Sequence, residues 1–171
     1  ASVDSHLNHA RLLIDKAFPR QLKALYSPQH GFFAEKQDNM IESADLVDPA
    51  LGLPVFSLYG QTRVPDRRMF DPIDILLVDL QDVGTRVYTF VTTLGLVMEA
   101  CRETGTRVVV LDRPNPIGGA MEGSVLDSDY RSFVGLAPHL SCYLKGRSNS
   151  FMKRRYTSFP TPASSSMNQA P

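Results

Sequence analysis

The chain carries no surplus of charge: eighteen lysines and arginines balance eighteen aspartates and glutamates. Nothing in that balance argues for nucleic acid or an anionic membrane as a partner. Only two cysteines are present, Cys101 and Cys142, too few for a disulfide framework. Cys101 falls on the apolar stripe of a predicted helix, where a small buried thiol is expected. No apolar run approaches the roughly 18 residues of a membrane helix, so no membrane span is expected. The chain opens Ala-Ser-Val-Asp, without the basic start and apolar stretch of a signal peptide. There is no GxxxxGK[ST] phosphate loop, no GxGxxG after a strand and no GxSxG nucleophile elbow. The four histidines and two cysteines do not show metal-ligand spacing. Neither a metal nor a cofactor is therefore expected.

What is present suits one domain. The length of 171 residues, 43% hydrophobic and 21% charged, provides one substantial core in an ordinary globular composition. The charge is unevenly placed. From residue 140 to 171 there are five basic residues (Lys145, Arg147, Lys153, Arg154, Arg155) and no acidic one, so a net zero leaves −5 on residues 1–139. That tail holds seven serines and three prolines and has no sustained periodicity. Such a composition does not bury enough apolar area to offset ordering entropy. The expected division is therefore a folded domain over 1–139 and an unrelated, non-folding tail over 140–171.

Residues 6–18 place Leu7, Ala10, Leu13, Ile14 and Ala17 at helical spacing, with Asp4 or Ser5 as N-cap and Pro19 as the stop. Residues 22–26 read as a strand, broken by Ser27-Pro28. The polar stretch 29–48 is too long for a simple connection, and 55–59 is a second strand. Residues 73–80 (IDILLVDL) form the clearest strand, apolar enough to be covered on both faces. From Val87, a stripe of Phe90, Val91, Leu94, Val97, Met98 and Cys101 predicts a helix ended by Gly105. Residues 107–111 give another buried strand, and 127–133 a short helix or turn. Residues 73–111 are a βαβ unit with a parallel crossover. The fold class is α/β, a Rossmann-like, doubly wound and mainly parallel sheet. Because the chain opens on a helix, a first strand is expected to be missing.

In open parallel sheets ligands bind beyond the carboxyl ends of the strands. Those positions here read SPQHGF (27–32), then Gly60, Gln61 and Arg63, then QDVGTRVYT (81–89), then DRPNPIGG (112–119). Four loops rich in amide, carboxylate, guanidinium and glycine are expected on one edge. Each group also has a plain structural reading. His30 suits a turn cap, Asp82 the N-cap of the following helix, Arg86 a partner for Asp82, and Asp112 with Arg113 a tie between loops. Glu99 suits a solvated helix face. Carboxylates, amides, arginines and aromatics together fit a sugar, whose hydroxyls bond to amides and acids while rings stack on its apolar faces.

The segments SPQHGF (27–32), GLPVFSLYG (52–60), DLQDVGTRVYTF (79–90), LDRPNPIGG (111–119) and EGSVLD (122–127) resemble the N-terminal domain of NamZ-type exo-β-N-acetylmuramidases, the YbbC-like family. The resemblance runs from about Val3 to Pro138 and stops before the tail. It implies a glycoside hydrolase that releases N-acetylmuramic acid from the non-reducing ends of peptidoglycan fragments. It further implies a cleft shared with a smaller C-terminal domain, expected to be missing from the sequence as given, and a muropeptide or muramyl sugar as partner. The family motif has Glu where this chain has Gln29, and an amide cannot protonate a leaving oxygen. The resemblance leaves three readings. Another acid (Glu35, Asp82 or Glu122) substitutes; the mechanism differs, with Gln29 holding the N-acetyl group; or the domain binds sugar without cleaving it. A non-functional fragment of a longer gene product is a further alternative. By resemblance the catalytic set is Asp82, Gln29, His30 and Glu122. Gln81, Arg86, Tyr88, Asp112, Arg113 and Asn115 form the substrate set, with Arg86 or Arg113 placed for the lactyl carboxylate, which matches a guanidinium fork.

Overall fold

The computed structural model describes residues 2–36, 38, 41–85, 87–118 and 125–135. The basic tail, Arg86 and Glu122 lie outside them. In chain order the elements are α1 (Ala10–Ala17), β1 (Leu25–Ser27), β2 (Leu46–Val47), β3 (Pro54–Ser57), β4 (Ile75–Val78), α2 (Phe90–Thr104) and β5 (Arg107–Val110). Short 3₁₀ turns cover Arg67–Met69 and Ser128–Tyr130.

The result is a small α/β fold with mainly parallel pairing. β1 pairs with β3 in parallel, Leu25 opposite Val55, and β4 pairs with β5 in parallel, Ile75 opposite Arg107. The pairing falls into two ladders, β1-β3-β2 and β4-β5, rather than one continuous sheet. β2 sits inside the stretch expected to be a loop and runs antiparallel to β3; two residues are too few to show an alternating pattern in sequence.

The chain between β4 and β5 behaves as its apolar stripe predicts, with one shift. α2 begins at Phe90, not Val87, and Val87 is left largely exposed. Gly105 ends the helix in the left-handed region at φ 76°, which a residue without a Cβ adopts at little cost. Leu94, Val97, Ala100 and Cys101 pack on Leu76 and Val78 of β4, with Leu58 and Phe70 completing the core. Tyr26 of β1 joins this core from the other ladder. Its ring stacks on Phe70 at 5.4 Å, and its hydroxyl donates to the Met69 carbonyl at 2.6 Å.

β4 was expected to be covered on both faces. Only Leu76 and Val78 are buried, while Ile75 and Leu77 are 44% and 45% exposed, because among the described residues α2 is the helix against that sheet and lies on the other side. The first helix also departs from expectation. It starts at Ala10 with His9 at the N-cap and no side-chain cap. Asp4 instead closes the preceding turn, accepting from the amides of His6 and Asn8 at 2.9 and 2.8 Å. None of its residues is buried. α1 is held by Arg11, whose Nε donates to Asp48 at 2.7 Å while the guanidinium lies over the Phe32 and Phe33 rings. Asp48 is fully buried and also accepts from the amides of Ala50 and Leu51. Among the described residues no helix is long and apolar enough to cross a membrane.

Burial separates the two helices energetically. Truncating Leu94, 6% exposed, removes core volume, and Leu94→Ala is expected to lower the unfolding free energy by about 2–5 kcal/mol. Leu12→Ala, at a 38% exposed position, is expected to change it by about 0.5 kcal/mol or less. Urea denaturation of both variants checks the contrast; equal losses would place α1 in the core after all. Burial also pushes the Cys101 thiol from 9.0 up to about 11. The folded value lies above the ordinary one, so the protonated thiol's contribution is complete below pH 9 and disappears as pH rises through 11. In a Cys142→Ser background, a thiol reagent at pH 8 is expected to label Cys101 only as fast as the protein unfolds. Rapid stoichiometric labelling without denaturant would contradict that.

Candidate functional site

Parallel strands bring their following loops to one end, and side-chain bonds then tie the loops to each other. The link between the β1 and β4 loops is a buried pair: the Thr89 hydroxyl donates to Gln29 Oε1 at 2.6 Å. The β4 and β5 loops are joined several times. Asn115 Nδ2 donates to Asp82 Oδ2 at 3.1 Å. Gln81 Nε2 donates to the carbonyls of Asp82 and Pro114 at 2.8 and 3.3 Å. Arg113 grips Asp79 with two parallel bonds, Nε to Oδ1 at 2.7 Å and Nη2 to Oδ2 at 2.8 Å. Gln29, Gln81, Asp82, Arg113 and Asn115 therefore belong to one bonded cluster of loops.

Local conformation explains how the residues are presented. Asp82 is not the N-cap of α2; Thr89 holds that position. The Asp82 Oδ1 accepts instead from the Gly84 amide at 3.1 Å, turning the chain just past β4. Gly84 has φ 74°, and a Cβ there would lie 2.6 Å from Ile117 and 3.0 Å from the Asn115 side-chain oxygen, so a side chain at this position is strained and would displace Ile117. Asn115 Oδ1 in turn accepts from the Ile117 amide. The β1 loop is tightly wound: His30, Gly31 and Ala34 all have positive φ. His30 Nδ1 lies 2.9 Å from the Lys36 carbonyl. A carbonyl only accepts, so Nδ1 is the donor in this bond. Glu35 folds back over Gly31 and accepts from the Phe33 amide at 3.0 Å.

Asp82, Asp112, Arg113 and Asn115 line a cleft floored by Val78, Leu80, Phe90, Val91, Leu94 and Val110. Tyr88 stands at its margin, its ring 4.8 Å from Phe90. Burial first, and the Asp82 charge second, hold its phenol above the ordinary value, so it stays a neutral donor. The cleft encloses about 20 Å³, room for one water, against roughly 300–1,000 Å³ for a small-molecule pocket.

Some expected members stand elsewhere or do different work. Arg113 commits one edge of its guanidinium to Asp79, as a tie between loops. Arg63, in the loop after β3, turns to its own neighbours: it lies over the Tyr59 ring at 3.8 Å, donates to the Gly60 carbonyl and pairs with Glu42 at 3.4 Å. Glu99 is partly buried and paired with Arg102 along α2. Arg86 and Glu122 are outside the described residues. Two residues that the sequence reading did not single out are central to the geometry, Thr89 and Asp79. Thr89 carried a signal as a hydroxyl residue just before a helix, although its hydroxyl goes to Gln29 rather than to the helix amides. Among the described residues, no group of three His, Cys, Asp or Glu side chains is placed to hold a metal.

The family described as exo-beta-N-acetylmuramidase NamZ, N-terminal, matches residues 1–144. Over 119 residues the chain is 47% identical to peptidoglycan beta-N-acetylmuramidase NamZ of Bacillus subtilis (strain 168), an alignment covering 69% of this chain and 28% of that protein. The chain thus spans under a third of that relative. Two crystal structures of DUF1343 family proteins from Bacteroides fragilis share the fold. One has a TM-score of 0.70 at 41% identity, covering 82% of this chain and 36% of that one. The other has a TM-score of 0.57 at 36% identity, covering 74% and 31%.

The close approach at Gly84 makes it a sensitive probe of the loop contact. Gly84→Ala is expected to cost about 1–2 kcal/mol from its left-handed backbone alone, with the Ile117 clash added. Amide hydrogen exchange should then accelerate in 81–85 and 112–118 while α2 stays protected. Unchanged exchange in both loops would show that their contact is dispensable.

Proposed function

Because the chain belongs to the NamZ N-terminal family, we propose that it supplies one wall of the active site of a glycoside hydrolase that releases N-acetylmuramic acid from the non-reducing ends of peptidoglycan fragments. The observation that carries the reading is that the loops after β1, β4 and β5 are bonded to one another, Gln29 to Thr89 and Asp82 to Asn115. Asp82 is the carboxylate of the described cleft whose surroundings are amide donors, and such a group suits sugar hydroxyls or proton transfer at the glycosidic bond. Gln81, Tyr88, Asp112 and Asn115 shape and hydrogen-bond the sugar. His30 offers Nε2 beside Gln29. Arg86 is the guanidinium for the lactyl carboxylate, since Arg113 is largely engaged by Asp79. Glu35 and Glu122 are the further acids of the reading.

The cleft's small enclosed volume supports a second domain as the opposing wall, with the chain's own domain ending near residue 139 and the basic tail outside it. The open edges of β1 and β4 support a further parallel strand between them. Ser2, just before α1, donates to the Asp79 carbonyl at the end of β4, the position from which such a strand would lead into α1. The amide at position 29 favours a second reading, a domain that holds the muramyl sugar without turning it over.

A chimera separates these readings: residues of this chain replace the matching stretch of the Bacillus subtilis relative, and release of a chromogenic N-acetylmuramide is measured. The chain alone is expected to release none. The chimera with Gln29 should be slow, and Gln29→Glu should raise turnover by roughly 10²–10⁴-fold, the usual worth of a general acid. Asp82→Asn should abolish it. Saturable sugar binding with no turnover in either form supports the binding reading, and a chimera that neither binds nor cleaves the sugar overturns both.

A further inference from the structure

Thr89 occupies a position where a hydroxyl normally accepts from the first amides of its helix. It makes no such bond. Its side chain is 5% exposed and reaches a residue sixty positions away, the 8% exposed Gln29. A threonine hydroxyl has one proton, and at 2.6 Å it is given to Gln29 Oε1. The threonine itself is held: its carbonyl accepts from both the amide and the hydroxyl of Thr93, at 2.9 and 3.2 Å. Branching at Cβ restricts its rotation further. One arm of the planar group on residue 29 is therefore tethered, and the other is presented in a fixed direction.

We infer that Thr89 is the positioning residue for the side chain at 29: its hydroxyl selects which arm is tethered and which is offered to a ligand. With glutamine the offered arm is the amide nitrogen, a donor to a carbonyl or hydroxyl oxygen. With a carboxyl group there, the same hydroxyl would favour the charged form. The functional meaning rests on the hydrolase reading, but the positioning itself does not.

The test needs no sugar, so it fails or stands apart from that reading. Glutamate at 29 is a near-isosteric titratable reporter. Its carboxyl carbon is followed by NMR against pH in the full chain carrying Gln29→Glu, alone and combined with Thr89→Val or Thr89→Ser. Thr89→Val is expected to raise the midpoint by about one unit, one unit being tenfold in the ionisation equilibrium, while Thr89→Ser leaves it within about a few tenths. A Thr89→Val change that lowers thermal stability without moving the midpoint overturns the inference, as does a serine variant that behaves like valine. If Gln29→Glu does not fold, the Gln29 side-chain amide is followed directly. Restricted motion that survives Thr89→Ser and is lost in Thr89→Val supports the inference, and equal mobility in both overturns it.

Discussion

Parallel pairing is the constraint from which the rest of this molecule follows. When β1 runs beside β3 and β4 beside β5 in the same direction, the loops after paired strands must start from one end. Each return must cross by a separate segment. The polar residues that follow each strand are thereby brought near each other without any local attraction between them. The end of β4 is where this matters most, since Asp79, Gln81, Asp82, Gly84 and Thr89 all lie within eleven residues of it and each contacts another loop.

Those contacts divide the polar side chains into two kinds of work. Arg113 with Asp79 and Gln81 with Pro114 hold loop to loop; Asp82, Asn115 and Gln29 are held and retain further bonding capacity. The holding is dense, and it exists before any ligand arrives. A carboxylate already oriented by Gly84 and Asn115 has little conformational freedom left to lose.

Much of this was legible from the residues. The apolar stripe from Phe90 to Cys101, the left-handed stop at Gly105 and the existence of strands within 73–80 and 107–111 follow from periodicity and glycine chemistry alone; their expected burial does not hold, since β4 is buried on one face and no residue of β5 is fully buried. Their parallel pairing follows from the length of the crossover. The meeting of the loops after β4 and β5, with Asp82 bonded to Asn115, followed from the strand-end rule. What was not legible has physical causes. β2 is two residues long and carries no pattern. Asp4 has the chemistry of an N-cap but closes a turn, because such a carboxylate serves either use equally. The pairing of Arg113 with Asp79 joins residues 34 apart in sequence, and nothing local distinguishes it from an arginine awaiting a ligand. Thr89 falls inside the helix expected from Val87, so nothing local marked it as the partner of Gln29, sixty positions away.

Tyr26 gives the interrupted hydrogen bonding an unexpected quality. By its backbone it belongs to one ladder, and by its ring and phenol to the core beneath the other. Neither half can lose its order without uncovering that ring, and Phe70 under it is 1% exposed. Two ladders separate in their strand pairing thus share one aromatic stack, which couples the order of each to that of the other.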